Sequence, residues 1–251
     1  MVPSFRALLT VDAEGYSRHN DAALPTLHTE IRQAIGEACE LSGLEPAWRD
    51  VRVLQSTGDG VIAILPHDCM VALIHPFSDR LQEVLAKAAP RLRAARMSLR
   101  LRVALHVGLV DEDHPVTAGI STATNDVCRL LDCPPLKAAL RDSDPDVTFV
   151  AMILSSEAFD LFVRGGHTAL EPSQLTEIRA QVKQFDRPAY LYVPVPSRRP
   201  PGDATKSADE PAVPPSPGPG STSFGNVSVS GQGSQNIVGS NIGGNVRQNR
   251  S

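Results

Sequence analysis

The stretch Val51–Leu65, VRVLQSTGDGVIAIL, constrains this chain more than any other. Two apolar, β-rich runs, Val51–Leu54 and Val61–Leu65, flank a short polar turn, a pattern that predicts a β-hairpin with Asp59 exposed at its tip. A carboxylate held at such a tip can bind a metal, although an Asp-Gly pair also serves a turn for its backbone geometry alone. The segments on either side decide between the two.

The chain has 251 residues, 41% of them hydrophobic, enough for a sizeable core. From Ser197 onward Pro, Gly, Ser, Asn, Gln and Thr dominate, so the packed core is expected in residues 1–195, the length of one domain. A Pro-rich linker over 196–222 and a Gly/Asn/Ser-rich segment over 223–251 follow. The segment from Ser197 carries five basic and three acidic residues, so the net charge of −4 leaves −6 on the core. Arg91, Arg93, Arg96, Arg100 and Arg102 alternate with Leu and Ala and read as a solvated face, so no nucleic-acid partner is expected. The four cysteines form no CxxC pair and sit mostly in apolar runs, as reduced thiols do in a reducing cytosol. No charged leader opens the sequence and no apolar stretch approaches about 18 residues, which predicts a cytoplasmic protein with no membrane attachment.

Phe5–Asp12 reads as a strand ending in a carboxylate, and AEGYS follows it as a turn. Leu24–Leu41 has helical periodicity, and the hairpin comes next. Asp68–Ala95 returns to helical spacing, with Pro76 as a break, and Ser98–Val110 is a central strand. His106 within that strand reads as a core residue whose ring is satisfied by backbone. Gly119, Ser121 and Thr122 suit a helix start, and Asn125 and Arg129, four apart, then share one helix face. Val147–Ile153 is a strand, Ser155–Arg164 a short helix, and Glu177–Val195 closes with one alternating strand. The order β-α-ββ-α-β-α-β-α-β predicts an α+β fold, a ferredoxin-like, mostly antiparallel sheet packed with helices. With the first strand beside the hairpin, Asp12 and Asp59 converge, and two carboxylates with phosphate oxygens are the usual way to hold Mg²⁺.

LLTVDAEGYS (Leu8–Ser17), STGDGVIAIL (Ser56–Leu65), LRVALHVGLV (Leu101–Val110) and TNDVCRLL (Thr124–Leu131) together resemble the catalytic domain of class III nucleotide cyclases, the adenylate and guanylate cyclase superfamily. The closing VKQFDRPAYLYVPV extends the likeness over most of the core. The resemblance implies a cyclase-type fold that converts a nucleoside triphosphate to a 3′,5′-cyclic nucleotide and pyrophosphate. It implies that Asp12, Asp59 and Ala13 hold two Mg²⁺ or Mn²⁺ ions, and that the backbone of Ala13, Glu14, Gly15, Tyr16 and Ser17, opening a helix, cradles phosphate. Asn125 would orient the ribose, and Arg129 would neutralise charge on the α-phosphate from the other subunit of a homodimer. Gln55 and Ala118 stand at the base-reading positions, where adenine-specific forms carry Lys and Asp and guanine-specific forms Glu and Cys, so the base stays open. Leu109 stands where some members carry a phosphate-binding Arg. The alternative function is an inactive nucleotide-binding adaptor.

Phe224–Gln248, FGNVSVSGQGSQNIVGSNIGGNVRQ, combines Asn and Gln with spaced β-branched residues. It reads either as a flexible terminus or as a cross-β assembly segment. It looks like the terminal amyloid-signalling motifs of microbial immune pathways, which implies a partner protein with a similar motif and an immune-like assembly.

Overall fold

The computed structural model describes residues 3–51, 53–112 and 117–199. The chain divides into two units, Met1–Lys206 and Ser207–Ser251, and every described residue belongs to the first. The proposed assembly segment over 223–251, and the linker beyond residue 199, lie outside the described residues.

The strands are β1 (Ser4–Ala13), β2 (Val53–Ser56), β3 (Gly60–Pro66), β4 (Leu101–Val110), β5 (Val150–Ser155), β6 (Thr176–Val182) and β7 (Phe185–Tyr192). They form one sheet in the order β2-β3-β1-β4-β5-β7-β6, antiparallel throughout except between β4 and β5. The helices are α1 (Leu24–Leu41), α2 (Glu45–Arg49), α3 (Cys69–Ala72), α4 (Ser78–Ala94), α5 (Thr122–Asp132), α6 (Pro134–Arg141) and α7 (Ser156–Ala158). This is the α+β architecture that the alternation of patterns predicts. Among the described residues no helix is long and apolar enough to cross a membrane.

Side-chain alternation along β1 assigns the two layers. Ala7, Leu9 and Val11 pack with Ile31, Ile35, Leu81 and Leu85 of α1 and α4 on one face. Leu8 points the other way, into a second core with Ala104, Ile153, Val127 and Leu130 of α5, and Leu136 and Leu140 of α6. Covered on both sides, β1 is buried continuously from Ala7 to Ala13, which is why it reads as an unbroken apolar run. Asp12 has the same parity as Leu8 and belongs to the α5 and α6 face.

One of these expectations needs correction. The closing segment is a hairpin, β6 and β7, and not a single strand; β6 is an edge strand whose Glu177, Arg179 and Gln181 are exposed while Ala180 is buried, and Arg179 pairs across the hairpin with Asp186 at 2.6 Å. The helical stretch after the first hairpin is interrupted at Pro76 as expected: it lies in the junction Leu73–Phe77 between α3 and α4, and His75 before it is extended, at φ −153° and ψ 128°. The four cysteines are free thiols.

The position of α5 on the sheet depends on Gly108. A Cβ there would lie 2.6 Å from Cβ of Ala123 in the first turn of α5. Neither backbone can retreat without lifting the helix off β4. Gly108→Ala should therefore destabilise the domain by about 1–3 kcal/mol, as overpacking does. Adding Ala123→Gly should recover part of that loss in a thermal-denaturation double-mutant cycle.

Candidate functional site

The end of β1 faces the start of β3, with Asp12 opposite Gly60 in the ladder. Ala13 N–H donates to the Asp59 carbonyl at 3.0 Å, so the hairpin tip is clamped to the residue after Asp12. The two carboxylates therefore share one corner of the sheet. Asp59 is half-buried, and its carboxylate accepts a long hydrogen bond from the Thr57 hydroxyl at 3.5 Å. Asp12 is buried, and its carboxylate accepts two hydrogen bonds from Arg102 on β4, Nε to Oδ1 and Nη2 to Oδ2, both 2.7 Å.

Burial pushes the Asp12 carboxyl up to about 6, against the opposing pull of Arg102, and the nearby Asp59 charge raises it further. Arg102 thus offsets the cost of burying the Asp12 charge only in part. The corner's donors are hard oxygens: two carboxylates and the backbone of Ala13. That set fits a divalent cation of the Mg²⁺ type, which takes one or two carboxylates and completes its shell with water or phosphate. Among the described residues no cluster of three or more His, Cys, Asp or Glu side chains is found, so the remaining oxygens would have to come from outside the side-chain set.

The turn after β1 differs from the expected helix start. Gly15 is in the left-handed region at φ 66°, where a side chain would be strained, and it leads into one 3-10 turn, Tyr16–Arg18, while α1 begins only at Leu24. No long-helix dipole points at this turn. Its Glu14 amide donates to the Arg100 carbonyl at 2.9 Å and the Ala13 amide is taken by Asp59, so the amides the turn can offer a phosphate are those of Gly15, Tyr16 and Ser17.

Arg100 and Arg102 are the residues that sequence reasoning misplaced. Both were expected on a solvated face, yet Arg100 is 5% exposed and the Arg102 side chain 14%. Their parity on β4 matches that of Asp12 on β1, and a charge opposite a strand-end carboxylate is the signal that could have identified Arg102.

Ser121 caps α5 by accepting from the Thr124 amide at 3.1 Å, and this sets the phase of the helix. Asn125 and Arg129 are exposed on one face, and Asp126 between them is buried and accepts from Arg129 at 3.3 Å. The Arg129 guanidinium stands 6.0 Å from the Phe185 ring centroid on β7. In the sheet order β7 is three strands from β1. At about 4.8 Å per strand, β7, beside which Arg129 stands, is about 14 Å across the sheet from β1 and Asp12. Gln55 is exposed on the edge strand β2, and Ala118 lies in the turn before α5. Leu109 is 62% exposed. His106 is buried as expected, but its Nδ1 has no hydrogen-bond partner and the Glu157 carboxylate is 3.8 Å away; burial pulls the ring below its ordinary value.

Similarity searches bear on the fold alone. Neither family models nor curated proteins match this chain. Solved structures do match: the guanylyl cyclase Cya2, at 12% identity over 80% of this chain and 96% of that one, with a TM-score of 0.53. The adenylyl cyclase CyaB from P. aeruginosa matches at 16% identity, 79% and 98% coverage and a TM-score of 0.52. An adenylate/guanylate cyclase/hydrolase from Silicibacter pomeroyi matches at 18%, 79% and 98%, with a TM-score of 0.50. The fold of the described domain is that of these cyclase structures.

A carboxylate must be ionised to bind a cation, so the position of Asp12 makes a sign-definite prediction. Mn²⁺ affinity, measured by titration calorimetry, should be flat above pH 7 and weaken below about 6, where Asp12 takes up its proton. The fall should approach about tenfold per pH unit.

Proposed function

We propose that this domain is a nucleotide cyclase that converts a nucleoside triphosphate to a 3′,5′-cyclic nucleotide and pyrophosphate in a homodimer with two shared sites. The observation that carries the reading is the separation of two incomplete half-sites on one chain. One corner holds Asp12, Asp59 and the Gly15–Ser17 turn, while Asn125 and Arg129 stand toward β7. A two-fold partner brings each half to the other, as an isologous interface does. The cyclase fold of the neighbours supports the same reading.

In this proposal Asp12, Asp59 and the Ala13 carbonyl hold the divalent cations. Bound there, such ions bridge phosphate oxygens and lower the pKa of the ribose 3′-hydroxyl. The amides of Gly15, Tyr16 and Ser17 receive the terminal phosphates. Arg102, released from Asp12, can turn its guanidinium fork to a phosphate oxygen. Asn125 of the partner orients the ribose, and the partner's Arg129 neutralises charge growing on the α-phosphate as pyrophosphate leaves. Gln55 can both donate to and accept from a base edge, whereas Ala118 offers only a methyl, so base choice rests on Gln55 and backbone groups.

A specific observation favours a second reading, an inactive nucleotide-binding adaptor. Asp12 is already neutralised by a two-pronged ion pair, and a cation must break it to enter. Assaying the purified protein with Mn²⁺ and each of the four nucleoside triphosphates separates the two. The cyclase reading expects cyclic product with one or more, abolished by Asp59→Asn and by Arg129→Ala. Mixing these two inactive variants should restore roughly a quarter of the wild-type rate through heterodimers with one intact site. Pyrophosphate at background with every triphosphate, alongside retained nucleotide binding, would leave the adaptor.

A further inference from the structure

Arg100 is the most heavily engaged side chain outside the proposed reacting groups. It immediately precedes β4, and its guanidinium donates to four acceptors on three separate segments. Nη1 reaches the Glu14 carboxylate at 2.7 Å, Nε the Thr148 carbonyl at 2.9 Å, and Nη2 the Ser143 hydroxyl at 2.5 Å together with the Leu140 carbonyl. The Arg100 carbonyl in turn accepts from the Glu14 amide at 2.9 Å. Glu14 is therefore held by backbone and side chain of the same residue, and Glu14 opens the turn whose amides are proposed to receive phosphate.

The other side of this hub is the point where the chain leaves the domain. The Thr148 hydroxyl, fully buried, donates to the Val195 carbonyl at 2.6 Å and lies 2.7 Å from the Ser197 hydroxyl. A hydroxyl has one proton, so Ser197 is the donor in that second contact. Ser197 also accepts from the Asp144 amide at 2.8 Å, and the Arg199 amide donates to the Asp142 carbonyl at 3.0 Å. Residues 195–199 thus strap down the loop 142–148 that supplies two of the acceptors of Arg100.

We infer that Arg100 is a positioning residue for the 13–17 turn and that the 195–199 strap, at the root of the C-terminal tail, sets how firmly it holds. The inference deepens the proposed cyclase function and rests on it for the meaning of the turn. With the strap seated, the loop 142–148 keeps Arg100 aimed at Glu14, and the turn is preorganised for a triphosphate. A pull on the tail that withdraws the Ser197 hydroxyl frees the loop, and the turn must then be ordered by the incoming ligand. Whatever the tail binds thereby reaches the phosphate turn through hydrogen bonds already present in the domain.

The test uses the full-length protein with Ser197→Ala, which removes the strap hydroxyl at little steric cost, and Ser197→Thr, which keeps a hydroxyl. Hydrogen–deuterium exchange is read without nucleotide. In Ser197→Ala the peptides covering 13–18 and 142–148 should exchange at least about threefold faster while β1 and β4 stay unchanged, and Ser197→Thr should return them to wild-type rates. Arg100→Lys, which retains the charge but loses the fork, should loosen 13–18 with the strap still in place. Where a triphosphate is turned over, Ser197→Ala should raise KM about threefold to tenfold with kcat within about twofold. Unchanged exchange over 13–18 in Ser197→Ala would overturn the inference whether or not the protein is an active cyclase. Faster exchange in an inactive protein would leave the coupling standing and remove only the catalytic reading.

Discussion

A negative charge at the buried end of a central strand is the constraint around which the rest of this domain is arranged. Asp12 sits where β1 is flanked on both sides, by β3 and by β4, and covered by helices on both faces. Water cannot solvate it fully there, and an ionised carboxylate in such a place has to be compensated or it takes up a proton. Arg102, directly across the ladder on β4, supplies the compensation. It does so incompletely, since burial still holds the carboxyl near 6, and a second carboxylate stands close by at Asp59. Strand order and register, which set Arg102 across from Asp12, create this arrangement.

The other residues singled out by the motifs stand elsewhere on the sheet. The α5 helix is fixed on the sheet by close approach at Gly108 and by its Ser121 cap, and both put Asn125 and Arg129 on the outer surface toward β7. Val127 and Leu130 of α5 point inward to the core. Arg129 instead keeps an exposed guanidinium, steadied by Asp126 and by the Phe185 ring.

Much of this was legible in the chain because it is written in local pattern. The hairpin over 51–65, the strand ending at Asp12 and the helical phase of Asn125 and Arg129 all follow from periodicity within a dozen residues or so. The ion pairs were illegible for the opposite reason. Arg102 meets Asp12 across 90 positions and Arg100 meets Glu14 across 86, and neither separation leaves a periodic trace. Alternating Arg and Leu around residue 100 has the composition of a solvated edge, and only the register of β1 against β4 turns those arginines inward. β6 was missed because the two-residue turn that divides it from β7, Lys183 and Gln184, carries no Gly, Pro, Asn or Asp, Lys183 itself taking the left-handed φ of 54°. The His106 ring was expected to find a backbone partner, but a central strand has already committed its carbonyls to the ladder, and Nδ1 is left facing Glu157 instead.

The pair between Asp12 and Arg102 also bears on what can enter the corner. A lone cation that displaced Arg102 would leave a guanidinium in a largely buried position with no anion, and breaking one side of a buried pair costs about 3–5 kcal/mol. A lone phosphate would meet two carboxylates and be repelled. When both arrive together Arg102 exchanges one anionic partner for another, and Asp12 exchanges one cation for another, so no charge is stranded at any stage. In the proposed cyclase reading the ion pair is a selectivity element: it leaves free metal and free phosphate each weakly held and favours their complex. This gives a physical reason for an arginine beside a carboxylate of this kind, where a hydrophobic residue would have been simpler to bury.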